Sequence, residues 1–126
     1  MEMVRTFPPA EWVPAAARRM VDMSMAESPT PRARDARVLA GELVERAFPH
    51  ASGSTIEVRV TVARGQSLRI EVRDTGSGFS PAPSPRHDLA ESAWGLYLVD
   101  RLASRWGIDQ GSRGCVWAEV DLRESA

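Results

Sequence analysis

Hydrophobic and polar residues alternate along two neighbouring stretches in the middle of the chain. Alternation with a period of two is typical of β-strands that bury one face and expose the other. The short segment Arg64-Gly65-Gln66 separates the stretches and predicts a hairpin loop. The apolar positions of the two predicted strands are Ile56, Val58, Val60 and Val62, followed by Leu68, Ile70 and Val72.

The same alternation appears near both ends of the chain. Met1 to Phe7 predicts an edge strand with Met3 and Phe7 on one face, and Pro8 ends it. Cys115 to Leu122 predicts a last strand. Its inward positions are expected to be Val116, Ala118, Val120 and Leu122.

Three other stretches repeat their apolar residues every three to four positions, which indicates helices. They run from Glu11 to about Met25, from Arg34 to about Phe48 and from Trp94 to Trp106, with Gly107 as a C-cap. The inward positions are expected to be Trp12, Ala16, Met20 and Met23 on the first helix, Val38, Leu39, Leu43, Val44 and Ala47 on the second, and Leu98, Val99, Leu102 and Trp106 on the third.

Strands with one polar face, together with about three helices, predict an α+β fold. We expect a two-layer sandwich in which the helices cover one face of a mostly antiparallel, mixed sheet. Residues 1–126 are expected to form a single domain, with an N-terminal strand and helix in residues 1–27.

Composition narrows the possible functions. The 126 residues carry a net charge of -1, so no general attraction to nucleic acid or to a membrane is expected. There is one cysteine, Cys115, and no apolar run reaches the roughly 18 residues of a membrane helix. We therefore expect a cytoplasmic protein without an internal disulfide. All 16 basic residues are arginine, and the chain has neither lysine nor asparagine.

The candidate chemistry begins where the second central strand ends, at Asp74-Thr75-Gly76-Ser77-Gly78-Phe79. A carboxylate at this point can accept a hydrogen bond from an exocyclic amine. Gly76 and Gly78 permit backbone angles and a close approach of ligand that other residues prevent. The alternative is an ordinary turn that closes the strand.

Four segments in order resemble the sequence motifs of the histidine-kinase/Hsp90-like (GHKL) ATPases. They are residues 42–51, Asp74 to Phe79, Ala93 to Val99 and Asp100 to Gly107. The last segment is similar to the continuation found in the small bacterial anti-sigma-factor serine kinases. The resemblance covers roughly residues 34–122.

The resemblance implies a Bergerat-type fold that holds ATP or ADP beneath a lid formed by residues 80–92. Asp74 is expected to bind the adenine amine, and Gly76 and Gly78 to shape the base pocket. Gly95 and Leu96 would lie at a helix start that faces the phosphates, where free N–H groups favour anions.

The resemblance also assigns catalysis and partners. Glu42 matches the catalytic base of the family. Typical members bind a sigma factor and phosphorylate a serine of an anti-anti-sigma (STAS-type) protein, and they often form homodimers. Neither a nucleic acid nor a membrane is expected as a direct partner.

Two positions depart from the family pattern. Arg46 stands where the family carries an asparagine that binds Mg²⁺, and Ala93 stands where it usually carries glycine. Arginine has donors only, so it cannot bind a metal ion. Arg46 is either a solvated residue paired with Glu42, a direct phosphate ligand that replaces the metal, or the occupant of a site that no longer binds nucleotide.

Two functions of different classes follow. One is an ATP-dependent serine kinase that is also an anti-sigma factor, with Glu42 as the base. The other, which we favour because of Arg46 and Ala93, is a regulatory domain that binds proteins and has an impaired magnesium site. In that case Glu42 has a structural role beside Arg46. A third hypothesis is a receiver for another regulator, contacted through the Pro-rich lid.

Overall fold

The computed structural model describes residues 1–26, 30–47, 55–63, 66–74, 98–109 and 115–123. Residues 98–102 are helical, and the described strands form one five-stranded sheet in the order β1-β2-β3-β5-β4. The helices and strands are β1 (Glu2–Phe7), α1 (Val13–Ser24), α2 (Ala33–Ala47), β2 (Ile56–Ala63), β3 (Ser67–Asp74), β4 (Arg105–Asp109) and β5 (Cys115–Asp121).

Every pairing between neighbouring strands of this sheet is antiparallel. The hairpin between β2 and β3 closes where the backbone N–H of Gln66 donates to the carbonyl oxygen of Ala63 at 2.9 Å. β1 pairs with β2 as the predicted edge strand. The α+β sandwich is confirmed.

The core lies between one face of the sheet and the two long helices. The predicted inward residues of β2, β3 and β5 fill it, because the alternation places them all on the same face. Each fully buried aliphatic side chain contributes about 1.5–3 kcal/mol to folding. The largest completely buried side chains include Met20, Leu39, Leu43, Ile56, Leu68 and Ile70.

The buried side of α1 differs from the predicted stripe. Trp12 and Met23 are 54% and 46% exposed, so their assignment to the core is wrong. The residues that face the sheet and α2 lie mostly one position later along the chain, because the helix presents a neighbouring stripe with the same period. The buried side chains of α1 are Val13, Pro14, Ala17, Met20, Val21 and Ser24.

The predicted apolar face of α2 is also partly wrong. Val38 is 38% exposed, whereas Ala36 and Ala40 are completely buried. Small residues at these two positions allow the helix to approach its neighbours closely, and the larger Val38 lies outside this contact. Leu39, Leu43 and Val44 are buried as predicted.

The third predicted helix is too long at its C-terminal end. The helical residues stop at 102, and the chain then forms the edge strand β4, so Trp106 and Gly107 are strand residues and Gly107 is not a C-cap. Ser104 directs this change, because its N–H donates to the carbonyl oxygen of Glu119 at 2.7 Å and its hydroxyl accepts from the N–H of Asp121 at 2.9 Å.

The other face of the sheet carries a continuous row of ion pairs, which we call the charged row. Consecutive members approach within 2.5–3.9 Å, and carboxylates alternate with guanidinium groups across all five strands. Isolated exposed ion pairs contribute little, but a network of them specifies the relative position of the strands. In order, the charged row is Glu2, Arg59, Glu57, Arg73, Glu71, Arg69, Glu119, Arg105 and Asp121.

Trp117 lies within this charged face. The guanidinium carbon of Arg69 is 4.2 Å from the centre of its ring, a cation–π contact. Gly107 lies against the same ring, and a Cβ atom there would lie 2.9 Å from it. The absence of a side chain at Gly107 is therefore what allows β4 and β5 to pair beside a tryptophan.

No helix among the described residues is long and apolar enough to cross a bilayer.

Candidate functional site

α2 carries two of the predicted site residues on one flank. Glu42 and Arg46 are one helical turn apart, and both are partly buried. Leu39 and Leu43 anchor the helix in the core on its adjacent face. The flank is thus held in place by a rigid helix rather than by a loop.

Burial disfavours the charged form of both side chains. Desolvation raises the pKa of Glu42, the nearby Glu45 raises it further, and the attraction of Arg46 and Arg18 opposes the change. Desolvation likewise lowers the pKa of Arg46, against the attraction of Glu42. Arg46 is thus partly buried and lies close enough to Glu42 to be influenced by its charge, and the three interpretations of this arginine stay open.

A third charged residue at this flank was not predicted from the sequence. Arg18 of α1 extends over Gly41 of α2, and a Cβ atom on Gly41 would lie 2.5 Å from its Nη1 atom. Its charge acts on Glu42, the next residue along the helix. The sequence feature that could have indicated this contact is Gly41, because a glycine inside a helix often marks a place where another group approaches the helix closely.

We expect Gly41→Ala to raise the pKa of Glu42 further without unfolding the protein. The added methyl group displaces the end of a flexible arginine side chain, and alanine in a helix is favoured over glycine by about 0.5–1 kcal/mol. Carbon-detected NMR titration of the Glu42 carboxyl group measures the pKa, and thermal melting measures stability.

Arg18→Gln is the matched variant, because it removes the charge that Gly41→Ala only displaces and leaves Gly41 intact. It should also raise the pKa of Glu42. A Glu42 pKa unchanged in both variants would show that Arg18 does not act on this carboxylate.

Asp74 is the last residue of β3 and pairs with Ile56 at the end of β2. Its backbone is therefore fixed by the central hairpin, and the preceding inward residue, Val72, is buried in the core on which α2 packs. The other predicted nucleotide-binding residues lie outside the described residues. They are Gly76, Gly78, Ala93, Gly95, Leu96 and the lid at residues 80–92.

The described residues of the α2 flank do not form a metal site by themselves. Within the described ranges, no group of three or more His, Cys, Asp and Glu side chains could hold a metal ion. Glu42 and Glu45 are the carboxylates near Arg18 and Arg46, and a guanidinium repels a cation and has no acceptor atom. The two arginines therefore oppose the binding of a cation at this flank.

Comparison with known structures supports the fold. The chain is similar to the crystal structure of the RsbU and RsbW domains of Rv1364c from Mycobacterium tuberculosis, with a TM-score of 0.73 and 20% sequence identity. The similarity covers 100% of this chain and 34% of that one, so the chain spans about a third of the length of that structure. No curated protein sequence matches.

The sequence also matches a family model directly. The model describes the histidine kinase-like ATPase domain and matches residues 9–119, which include α1, α2, β2, β3, β4 and most of β5 but not β1. This match confirms the resemblance to GHKL ATPases that the ordered motifs indicated. The chain therefore belongs to the family of histidine kinase-like ATPase domains.

Proposed function

We propose that this chain is a regulatory protein of the anti-sigma-factor type that acts by binding other proteins, and that its nucleotide pocket has lost the usual magnesium site. The observation that carries the proposal is the placement of Arg46. Its guanidinium is partly desolvated on α2, one turn from Glu42, at the position where the family motif has a metal-binding asparagine.

The positive charge of Arg46 repels a divalent cation from this position. A unit charge about 4 Å away costs roughly 4 kcal/mol at an effective dielectric constant of 20, and Mg²⁺ carries two charges. Part of this cost is removed by solvent, because Arg46 is only partly buried. Enough remains to disfavour metal-dependent phosphoryl transfer, which relies on charge neutralisation.

Asp74 supports retention of adenine recognition. Asp74 is the last residue of β3, which pairs with β2 on one side and with β5 on the other. Asp74 itself pairs with Ile56 of β2, so its backbone position is fixed. In the family motif this aspartate accepts a hydrogen bond from the adenine amine. Weak binding of ATP or ADP that does not need Mg²⁺ is the result expected from this combination.

The family membership and the fold support a proposal about the class of partner. The chain matches the family over most of its length and has the fold of a structure that contains RsbU and RsbW domains. We propose a sigma factor, an anti-anti-sigma (STAS-type) protein, or both as partners, in the cytoplasm. A homodimer is compatible with the same role.

One observation favours the alternative, an active serine kinase. Burial raises the pKa of Glu42, which brings this carboxyl group closer to the range of an effective general base. Arg18 and Arg46 oppose this effect through their charges. In the kinase, Glu42 would take the proton from the attacking serine hydroxyl.

Calorimetry with ATP, in the presence and in the absence of Mg²⁺, separates the two functions. We expect weak binding with the same dissociation constant in both conditions, and no serine phosphate on an anti-anti-sigma protein by mass spectrometry. Binding that becomes tight only with Mg²⁺, together with serine phosphorylation, would replace the proposed function with the kinase.

A further inference from the structure

A groove lies between the edge strand β1 and the exposed side of α1, away from Glu42 and Arg46. Its volume is about 820 Å³. Phe7 and Met20 are buried at its base, and Trp12 and Met23 are exposed along its side. The Trp12 ring packs edge-on against Phe7, with ring centres 5.8 Å apart.

Folding alone does not explain why Trp12 and Met23 are exposed on one side of the groove. More than half of the Trp12 side chain and almost half of Met23 remain in contact with solvent. Large apolar side chains exposed along one face of a groove are characteristic of surfaces that bind another molecule. Methionine adapts its shape to different ligand side chains, and tryptophan provides a rigid anchor.

The rim of the groove is basic although the chain as a whole has a net charge of -1. Arg5, Arg19 and Arg37 line it, and Asp22 is the only acidic residue there among the described residues. Asp22 pairs with Arg37 at 3.1 Å. Within the part of the chain that the structure describes, no ion pair engages Arg5 or Arg19, so their charges are available to a ligand.

We propose that this groove binds an acidic segment of a partner protein. Trp12 and Met23 lie three turns apart on α1, about 16 Å along its axis, so separate apolar side chains of the segment pack against each of them. Flanking carboxylates pair with Arg5 and Arg19. This inference rests on the proposed protein-binding role, but it does not depend on the nucleotide pocket.

The lining favours a protein segment over a nucleic acid. Single-stranded nucleic acid binds to platforms of several aromatic rings along a basic track. Here Trp12 is the single exposed aromatic side chain of the described lining, and Met20, Met23, Ala15 and Ala16 provide an aliphatic surface. An amphipathic peptide that inserts an apolar residue matches this surface better.

The test is a selection from a displayed library of random peptides against the full chain. We expect recovered peptides to be enriched in Asp and Glu around a Trp, Phe or Leu. The double variant Arg5→Glu/Arg19→Glu should weaken their binding by about tenfold or more, because close charge pairs are replaced by repulsion. Fluorescence titration with the recovered peptides measures the change.

The matched control is Arg34→Glu/Arg123→Glu, which changes the total charge equally at exposed residues outside the groove. It should bind the peptides like the parent. The proposal is overturned if no acidic enrichment occurs, if both double variants bind equally, or if an oligothymidine competes for the groove.

Two further measurements keep this result separate from neighbouring hypotheses. Sedimentation should give the same oligomeric state for the parent and for Arg5→Glu/Arg19→Glu, and dissociation of a dimer by the variant would instead assign the groove to a second copy of the chain. Calorimetry with ATP should be unchanged in this variant. If the calorimetry with ATP and Mg²⁺ favours the kinase, the peptide-binding experiment still tests the groove independently.

Discussion

Arg46→Asn is expected to create magnesium-dependent ATP binding that the parent protein lacks. The change removes a positive charge from the position next to the expected metal and supplies an amide oxygen that can bind it. The repulsion between Arg46 and Mg²⁺ is estimated at roughly 4 kcal/mol per unit charge of the ion. Each tenfold gain in ATP affinity requires about 1.4 kcal/mol, so removal of only part of this repulsion would make ATP binding at least tenfold tighter when Mg²⁺ is added. Calorimetry with and without Mg²⁺ measures it.

Arg46→Ala separates the two contributions. It removes the charge without adding an oxygen ligand, so its gain with Mg²⁺ should be smaller than that of Arg46→Asn. Arg34→Asn, at an exposed position of the same helix, is the control for a general effect of lower charge. If Mg²⁺ has no effect on ATP binding by Arg46→Asn, the arginine is not what excludes the metal.

Leu43→Ala is expected to be among the most destabilising substitutions in α2. Leu43 is completely buried in the core beneath the flank that carries Glu42 and Arg46. Removal of a buried leucine side chain costs about 2–5 kcal/mol, because transfer energy is lost and a cavity is left. In a domain of this size a loss of about 3 kcal/mol lowers the melting temperature by roughly 10 °C.

Val38→Ala provides the comparison on the same helix. Val38 is 38% exposed, so its truncation should change the free energy of unfolding by about 0.5 kcal/mol or less. Denaturant unfolding followed by circular dichroism compares the two variants. Equal losses of stability at positions 38 and 43 would contradict the placement of the buried face of α2.

Most of the sheet could be predicted because its residues obey a simple period. The inward positions of β2, β3 and β5 follow from alternation alone. The hairpin loop that Arg64-Gly65-Gln66 predicts also indicates the pairing of β2 with β3. The end of the third helix could not be predicted in this way. Trp106 fits the helical period after Leu102, and only the bonds of Ser104 to β5 direct the chain into β4.

The candidate site likewise has a part that local sequence patterns indicate and a part that depends on tertiary packing. Glu42, Arg46 and Asp74 could be proposed from the sequence because they belong to contiguous motifs with fixed spacing. Arg18 was missed because its effect on Glu42 depends on the packing of α1 across α2, which no local pattern specifies. The groove beside Trp12 was missed for a related reason, since a period of 3.6 residues does not tell which of two adjacent stripes is buried.

The charged row has a consequence for how this protein tolerates mutation. Each arginine in it is shared by two carboxylates, so reversing one charge places like charges beside two neighbours at once. Exchanges on this face should therefore be acceptable mainly as compensating pairs, and single changes should show strong epistasis. Sequence drift on the open side of the sheet would therefore proceed in coupled steps.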